Sequence, residues 1–146
     1  MPIKKFSLKN QSGFTLLEVL IALLVFSIGL LGLAGLQLTG LKNNHSAQQR
    51  TEATVHAYDI LDKMRLNRAV AKAGGYDISL AAGAPSGTSL VDTDRASWLA
   101  RLSATLPSGD GAVATASDVI TVTVQWDDSR GSTGSSTQTF TVSTQL

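Results

Sequence analysis

Val19-Leu-Ile-Ala-Leu-Leu-Val-Phe-Ser-Ile-Gly-Leu-Leu-Gly-Leu-Ala-Gly-Leu36 spans 18 residues with a single polar side chain, Ser27. An uncharged run of that length reads as a membrane-crossing helix. It contains no Pro to force a kink, but it does contain Gly29, Gly32 and Gly35. Upstream lies a leader, residues 1–13, with Lys4, Lys5 and Lys9 and no acid. The positive-inside rule keeps that end in the cytoplasm and sends the rest of the chain across the membrane. A cleaved secretory signal has a shorter apolar region, closed by a small-residue motif. Here the run is longer and no A-x-A motif closes it, so the segment is expected to be retained as an anchor.

The remaining composition narrows the classes. The chain has 146 residues, 43% hydrophobic and 16% charged, with mean hydropathy +0.13, net charge +1 and no Cys. That is one modest domain, without a disulfide scaffold or thiolate metal site. The low charge fraction argues against a disordered chain. The near-neutral total conceals a division. Residues 37–72 carry six basic and three acidic side chains, whereas residues 73–146 carry three basic and seven acidic ones.

The junction Gly13-Phe14-Thr15-Leu16-Leu17-Glu18-Val19 has two physical oddities. A carboxylate lies at the start of a membrane segment, where burial costs up to about 2.5–3.5 kcal/mol at a helix centre and less near its end. A polar, basic leader also stops abruptly at a Gly. Both are accounted for by cleavage after Gly13. The new α-amino group on Phe14 would pair with Glu18 of a neighbouring subunit, and Glu18 would sit at the positive end of the helix dipole. The plainer reading of Glu18 is an acid that snorkels to the interface.

These residues carry a resemblance. Gly13 followed by Phe-Thr-Leu-Leu-Glu-Val-Leu resembles the class III signal of type IV pilins and type II secretion pseudopilins. The resemblance is dense over Gly13–Leu36. It implies that a prepilin peptidase cuts after Gly13 and that the new amino terminus of Phe14 is N-methylated. The run Leu20–Gln37 and the stretch Ala57–Asn67 are similar to PilV-type minor pilins. A helix-breaking Pro near Gly35 and a C-terminal disulfide loop, frequent in major pilins, are absent. The resemblance implies an α+β type IV pilin fold, with a long N-terminal helix packed against a small antiparallel sheet and a short helix. The implied partners are other minor pilins, a tip adhesin, the major pilin, the prepilin peptidase and the inner-membrane pilus assembly machinery. The implied location is the inner membrane, with the head periplasmic, and then the pilus tip.

The pattern of residues divides the rest. A filament-core helix is expected over residues 14–38, and an amphipathic stem helix over 39–72. Ala53, Ala57, Ile60, Leu61 and Met64 form the stem's apolar stripe. One continuous helix to Lys72, stopped by Gly74-Gly75, would be about 90 Å long. Residues 73–146 read as a globular head. Asp92 and Asp94 are expected to cap a helix carrying Trp98, Leu99, Leu102 and Leu106. Ile120–Trp126 alternates strictly and Phe140 and Val142 alternate behind it, giving a hairpin, with Ala112–Ala116 as a third strand. The intervening loop, residues 127–137, reads as surface filler, and Asp127-Asp128 as routine turn acids.

No catalytic set emerges. His45 and His56 are three turns apart on one helix, too far to share a metal, and read as surface histidines. Asp92 and Asp94 fail as a calcium loop because the required Gly is Ser97. There is no nucleotide-binding or hydrolase motif and no basic-aromatic cluster for nucleic acid. The expectation is a non-enzyme with no cofactor and no metal. It is a minor pilin in pilus assembly or, alternatively, a minor pseudopilin of a type II secretion system. In a different class, it would be a membrane-anchored periplasmic binding domain that never polymerises.

Overall fold

The computed structural model describes residues 13–146, so the leader cations Lys4, Lys5 and Lys9 lie outside the described residues. The order is α1 (Leu16–Leu66), α2 (Arg68–Lys72), α3 (Leu90–Thr105), β1 (Asp110–Ala116), β2 (Val119–Trp126) and β3 (Gln138–Gln145). The chain forms two compact units, one ending at Leu38 and one spanning Thr39–Leu146. The α+β pilin architecture implied by the resemblance is present, with a long N-terminal apolar helix and a three-stranded antiparallel sheet.

In the first unit, α1 is helical despite its glycines, each costing about 1 kcal/mol relative to Ala in a helix interior. Leu, Ala and Ile supply the propensity, and the helix bonds its own backbone groups, as a nonpolar medium demands. Ser27, the one hydroxyl, donates to the carbonyl of Leu23 at 2.7 Å and so needs no outside partner.

The second unit is built on the rest of α1. The stem stripe is buried: Ala53, Ala57, Ile60, Leu61 and Met64 are all at 0% exposure. They share one core with Trp98 and Leu102 of α3 and with Ile120, Val122, Val124 and Trp126 of β2. Each buried Leu, Ile, Val or Met side chain contributes about 1.5–3 kcal/mol. The sheet is a meander in the order β1-β2-β3. Its register sets Val113 against Val122 and Val122 against Val142. That places the inward face of β2 on the stripe and its Thr residues on the other side, as the strict alternation requires. A two-residue turn, Ser117-Asp118, joins β1 to β2 with both residues at positive φ, the twist that tight hairpins favour. Lys72 Nζ reaches Asp118 Oδ1 across this turn at 3.0 Å.

Several boundaries differ from expectation. The stem helix does not run unbroken to Lys72. It leaves helical geometry at Asn67, whose φ/ψ is −119/46. The Asn67 amide is shared between the carbonyls of Lys63 and Met64, both at 3.2 Å, and its own carbonyl then starts α2. Asn is a weak helix former, and here its side chain makes no cap bond to the backbone, so the break rests on the Asn67 backbone conformation itself. Gly74, at φ +77, ends α2 in the left-handed conformation that only Gly adopts cheaply.

Asp92 and Asp94 are not the N-caps of α3. That role belongs to Ser89, whose hydroxyl accepts from the Asp92 amide at 3.1 Å. Asp92 sits in the first turn and bonds back to the Ser89 hydroxyl. That bond, followed by Arg95, holds its carboxyl below the usual carboxylate range. Asp94 instead faces the stem, where it pairs with Lys63 at 3.4 Å and accepts from the Tyr76 hydroxyl at 2.9 Å. Burial pushes the Tyr76 hydroxyl above the ordinary tyrosine value.

Candidate processing and assembly site

Gly13, Phe14 and Glu18 lie together at the start of α1. Phe14 is outside the helix and 84% exposed, and a Cβ built on Gly13 would meet nothing within 4 Å. The junction is therefore open to an enzyme, and nothing within the described chain requires Gly at position 13. The helix begins at Leu16 because Thr15 caps it. Thr15 Oγ1 accepts from the Glu18 amide at 3.2 Å, and the Thr15 carbonyl accepts from the amides of Glu18 and Val19. Thr15-x-x-Glu18 is the spacing of a capping box, in which the acid occupies the third helical position. Thr15 is the residue that reading the junction for charge alone overlooks, although the Thr-x-x-Glu spacing announces it. Its hydroxyl fixes the helix start, and so fixes Glu18 in the first turn, where the dipole favours a carboxylate.

Beyond this start the helix is bare. Every residue from Gly13 to His45 is exposed. Among them are Leu24, Phe26 and Leu31, at 62–73% exposure. Gly29, Gly32 and Gly40 likewise have open space where a Cβ would stand. Soluble monomers rarely expose contiguous apolar patches beyond a few hundred Å². This one demands cover from lipid or from other helices, and the glycines let either approach the backbone closely. By length and composition the helix is able to cross a membrane.

The second unit holds two residues whose environments differ from expectation. His56 is buried, at 8% exposure, not a surface histidine. Its Nε2 lies 2.9 Å from Thr105 Oγ1, and its carbonyl accepts from Trp98 Nε1 at 2.9 Å. Asp128 is 2% exposed, not a routine turn acid. It accepts from the Ser46 hydroxyl of α1, its amide donates to Ser135, and its carbonyl accepts from Gly131. A Cβ at Gly134 would stand 1.7 Å from the Asp128 carbonyl oxygen, so only Gly fits there. Ser132 also bonds Asn43. The loop between β2 and β3 is thus folded around Asp128 and fastened to the stem, rather than loose filler. Asp128→Ala should cost about 1–3 kcal/mol, because it strips the acceptor from a part-buried hydroxyl. Urea unfolding of the full chain in detergent, followed by tryptophan fluorescence, checks this. Asp128→Asn, which keeps an acceptor, should lose less.

Among the described residues, no group of three or more His, Asp or Glu is placed to hold a metal ion. Residues 8–34 match the prokaryotic N-terminal methylation motif. No curated protein and no solved structure matches the chain. The motif covers the open Gly13–Phe14 junction, the capped helix start and most of the bare apolar helix, and it supports a type IV pilin-like chain that is a substrate of prepilin peptidase.

Proposed function

We propose that the chain is a PilV-type minor pilin that takes part in type IV pilus assembly, within the priming or tip complex. It is a structural subunit rather than an enzyme. Residues 1–13 are its cytoplasmic leader, removed by prepilin peptidase between Gly13 and Phe14, and Phe14 is then N-methylated. Residues 14–38 anchor the chain in the inner membrane and later pack in the filament core. Residues 39–72 form the stem and 73–146 the periplasmic head. Partners are the other minor pilins, a tip adhesin, the major pilin and the inner-membrane assembly machinery. The observation that carries this reading is a capped helix start, with Glu18 in its first turn, leading directly into a wholly exposed apolar helix.

In this scheme Glu18 recruits the Phe14 amine of a neighbouring subunit, since each charge is expensive in lipid alone and less so as a pair. Glu18→Ala should leave cleavage and membrane retention intact while removing that drive. A pair contributing about 1.4 kcal/mol implies about tenfold less chain in the sheared pilus fraction. Immunoblots of sheared pili against the membrane fraction measure it. Undiminished incorporation would dismiss the charge-pairing role.

A further inference from the structure

The two edges of the head sheet differ. β1 and β2 join through the two-residue turn Ser117-Asp118, so the closing pair, Ala116 and Val119, exchanges both of its backbone bonds. Alternation along the ladder then turns the amides and carbonyls of Gly111, Val113 and Thr115 away from β2, toward the outer edge of β1. That edge is occupied. Val113 and Ile78 exchange N–H···O bonds at 2.9 Å in each direction, and the Gly111 amide donates to Asp110 Oδ1 at 2.7 Å. The Thr115 hydroxyl donates to Asp77 at 2.8 Å. The segment Asp77-Ile78 thus lies along β1 and blocks it.

The edge of β3 is open. The same alternation, carried across β2, bonds Val122 to Val142 and turns the backbone groups of Thr139, Thr141 and Ser143 outward. Among the described residues, no backbone group beyond the sheet meets them. β3 pairs with β2 in continuous register over its eight residues, with no bulge, and it contains no charged residue and no Pro. Proteins usually blunt an edge with charge, Pro, a bulge or a covering segment, because a bare row of N–H and C=O groups is a template for another strand. β1 has such a cover and β3 has none among the described residues.

The side chains define what fits there. On the inner face, Phe140 and Val142 are only partly buried against the core, so apolar surface remains for a further strand to cover. On the outer face, Thr121 meets Ser143 at 2.9 Å and Thr123 meets Thr141 at 3.4 Å, a hydroxyl ladder that stops at the open edge. An incoming strand would repeat the β2–β3 pairing, with apolar residues against Phe140 and Val142 and small hydroxyl residues against Thr141 and Ser143. A charged side chain on the inner face would lose water with no partner to replace it. We propose that β3 receives a strand from another protein, an uncharged extended segment in which apolar and hydroxyl residues alternate.

The test uses the full chain, isotope-labelled and in detergent. The probe is a synthetic peptide of alternating valine and threonine, matched to β3 in length and ended with lysines for solubility. NMR reads solvent exchange at single amides. In the free chain the amides of Thr139, Thr141 and Ser143 should exchange freely, while those of Phe140 and Val142, bonded to β2, are protected. Peptide at about tenfold above its Kd should slow the three outward amides by about the same factor. The same peptide, N-methylated on the amides that face β3, keeps its side chains and should slow none of them. Thr141→Pro removes an outward donor without touching the ladder to β2, and should abolish the effect while tryptophan fluorescence stays native. If that variant unfolds, the methylated peptide decides alone. Equal action by the two peptides overturns the inference, and so does no slowing at millimolar peptide. Protection that grows with the concentration of the free chain assigns the edge to a second copy and overturns it as well. None of these outcomes depends on cleavage at Gly13, so the strand site stands or falls separately from the function proposed above.

Discussion

Gly13→Ala is expected to leave the chain at its full 146 residues, in place of a product beginning at Phe14. First, a peptidase that cuts after Gly must bring its catalytic groups against the backbone there, and a methyl group obstructs that approach. Second, the substitution is silent for the described fold, because a Cβ at this position meets nothing within 4 Å and the helix does not start until Leu16. Accumulated precursor is therefore attributable to failed processing and not to misfolding. Intact mass measurement of membrane-extracted protein distinguishes the two lengths. The charge changes too. Removing the leader takes away Lys4, Lys5 and Lys9 and moves the formal net charge from +1 to −2. If Gly13→Ala is cut normally, or the wild type is never cut, the minor-pilin reading fails. A retained, uncut wild type would favour the non-polymerising anchored domain.

Trp98→Ala is expected to unfold the head or bring it close to unfolding. Trp98 is fully buried, and its indole nitrogen donates to the carbonyl of His56, tying α3 to α1. On the opposite side the ring lies against Gly111 of β1, where even a Cβ would come within 2.3 Å of it. One side chain thus joins the stem, the short helix and the sheet. Truncating a buried Trp costs about 3–5 kcal/mol, a large share of the roughly 5–15 kcal/mol that stabilises a domain. The chain has two Trp residues, so the variant reports through Trp126 alone. Its urea midpoint should fall far below that of the wild type. Trp98→Phe keeps an aromatic ring but loses both the hydrogen bond and the ring edge against Gly111, so it should cost less than Trp98→Ala and more than about 1 kcal/mol. Equal losses in the two variants would show that the remaining aromatic ring contributes nothing and that the indole's hydrogen bond and outer edge carry the whole effect.

What could be read in the sequence followed the range of the interactions. The apolar run and the alternation of Ile120–Trp126 are dense local patterns, and each led to the element the structure contains. The pairing of the stem stripe with β2 was legible too, because five apolar residues at helical spacing require cover and β2 had a face to supply it. The interruption at Asn67 was harder, since no Pro or Gly marks it. The cap of α3 is masked in the sequence, because Asp92 and Asp94 are equally good cap residues by type while Ser89, three residues before Asp92, holds the role. Burial of His56 and Asp128 had no local signature. His56 is enclosed by Thr105, 49 residues later, and Asp128 by Ser46, 82 residues earlier. Neighbours so distant in sequence leave no periodic trace.

Those separations also govern timing. The meander is assembled from consecutive strands, so its pairing is available soon after each hairpin is made. The stem stripe must wait, because its cover comes from α3 and from strands at the far end of the chain. Contacts of such long separation form late, after a large loss of chain entropy. During synthesis, Ala53–Met64 lacks its full cover until α3 and then β2 arrive, with a greasy face open to proteases and to the wrong partners. A chain of this design is most vulnerable between the completion of its first helix and the completion of its sheet.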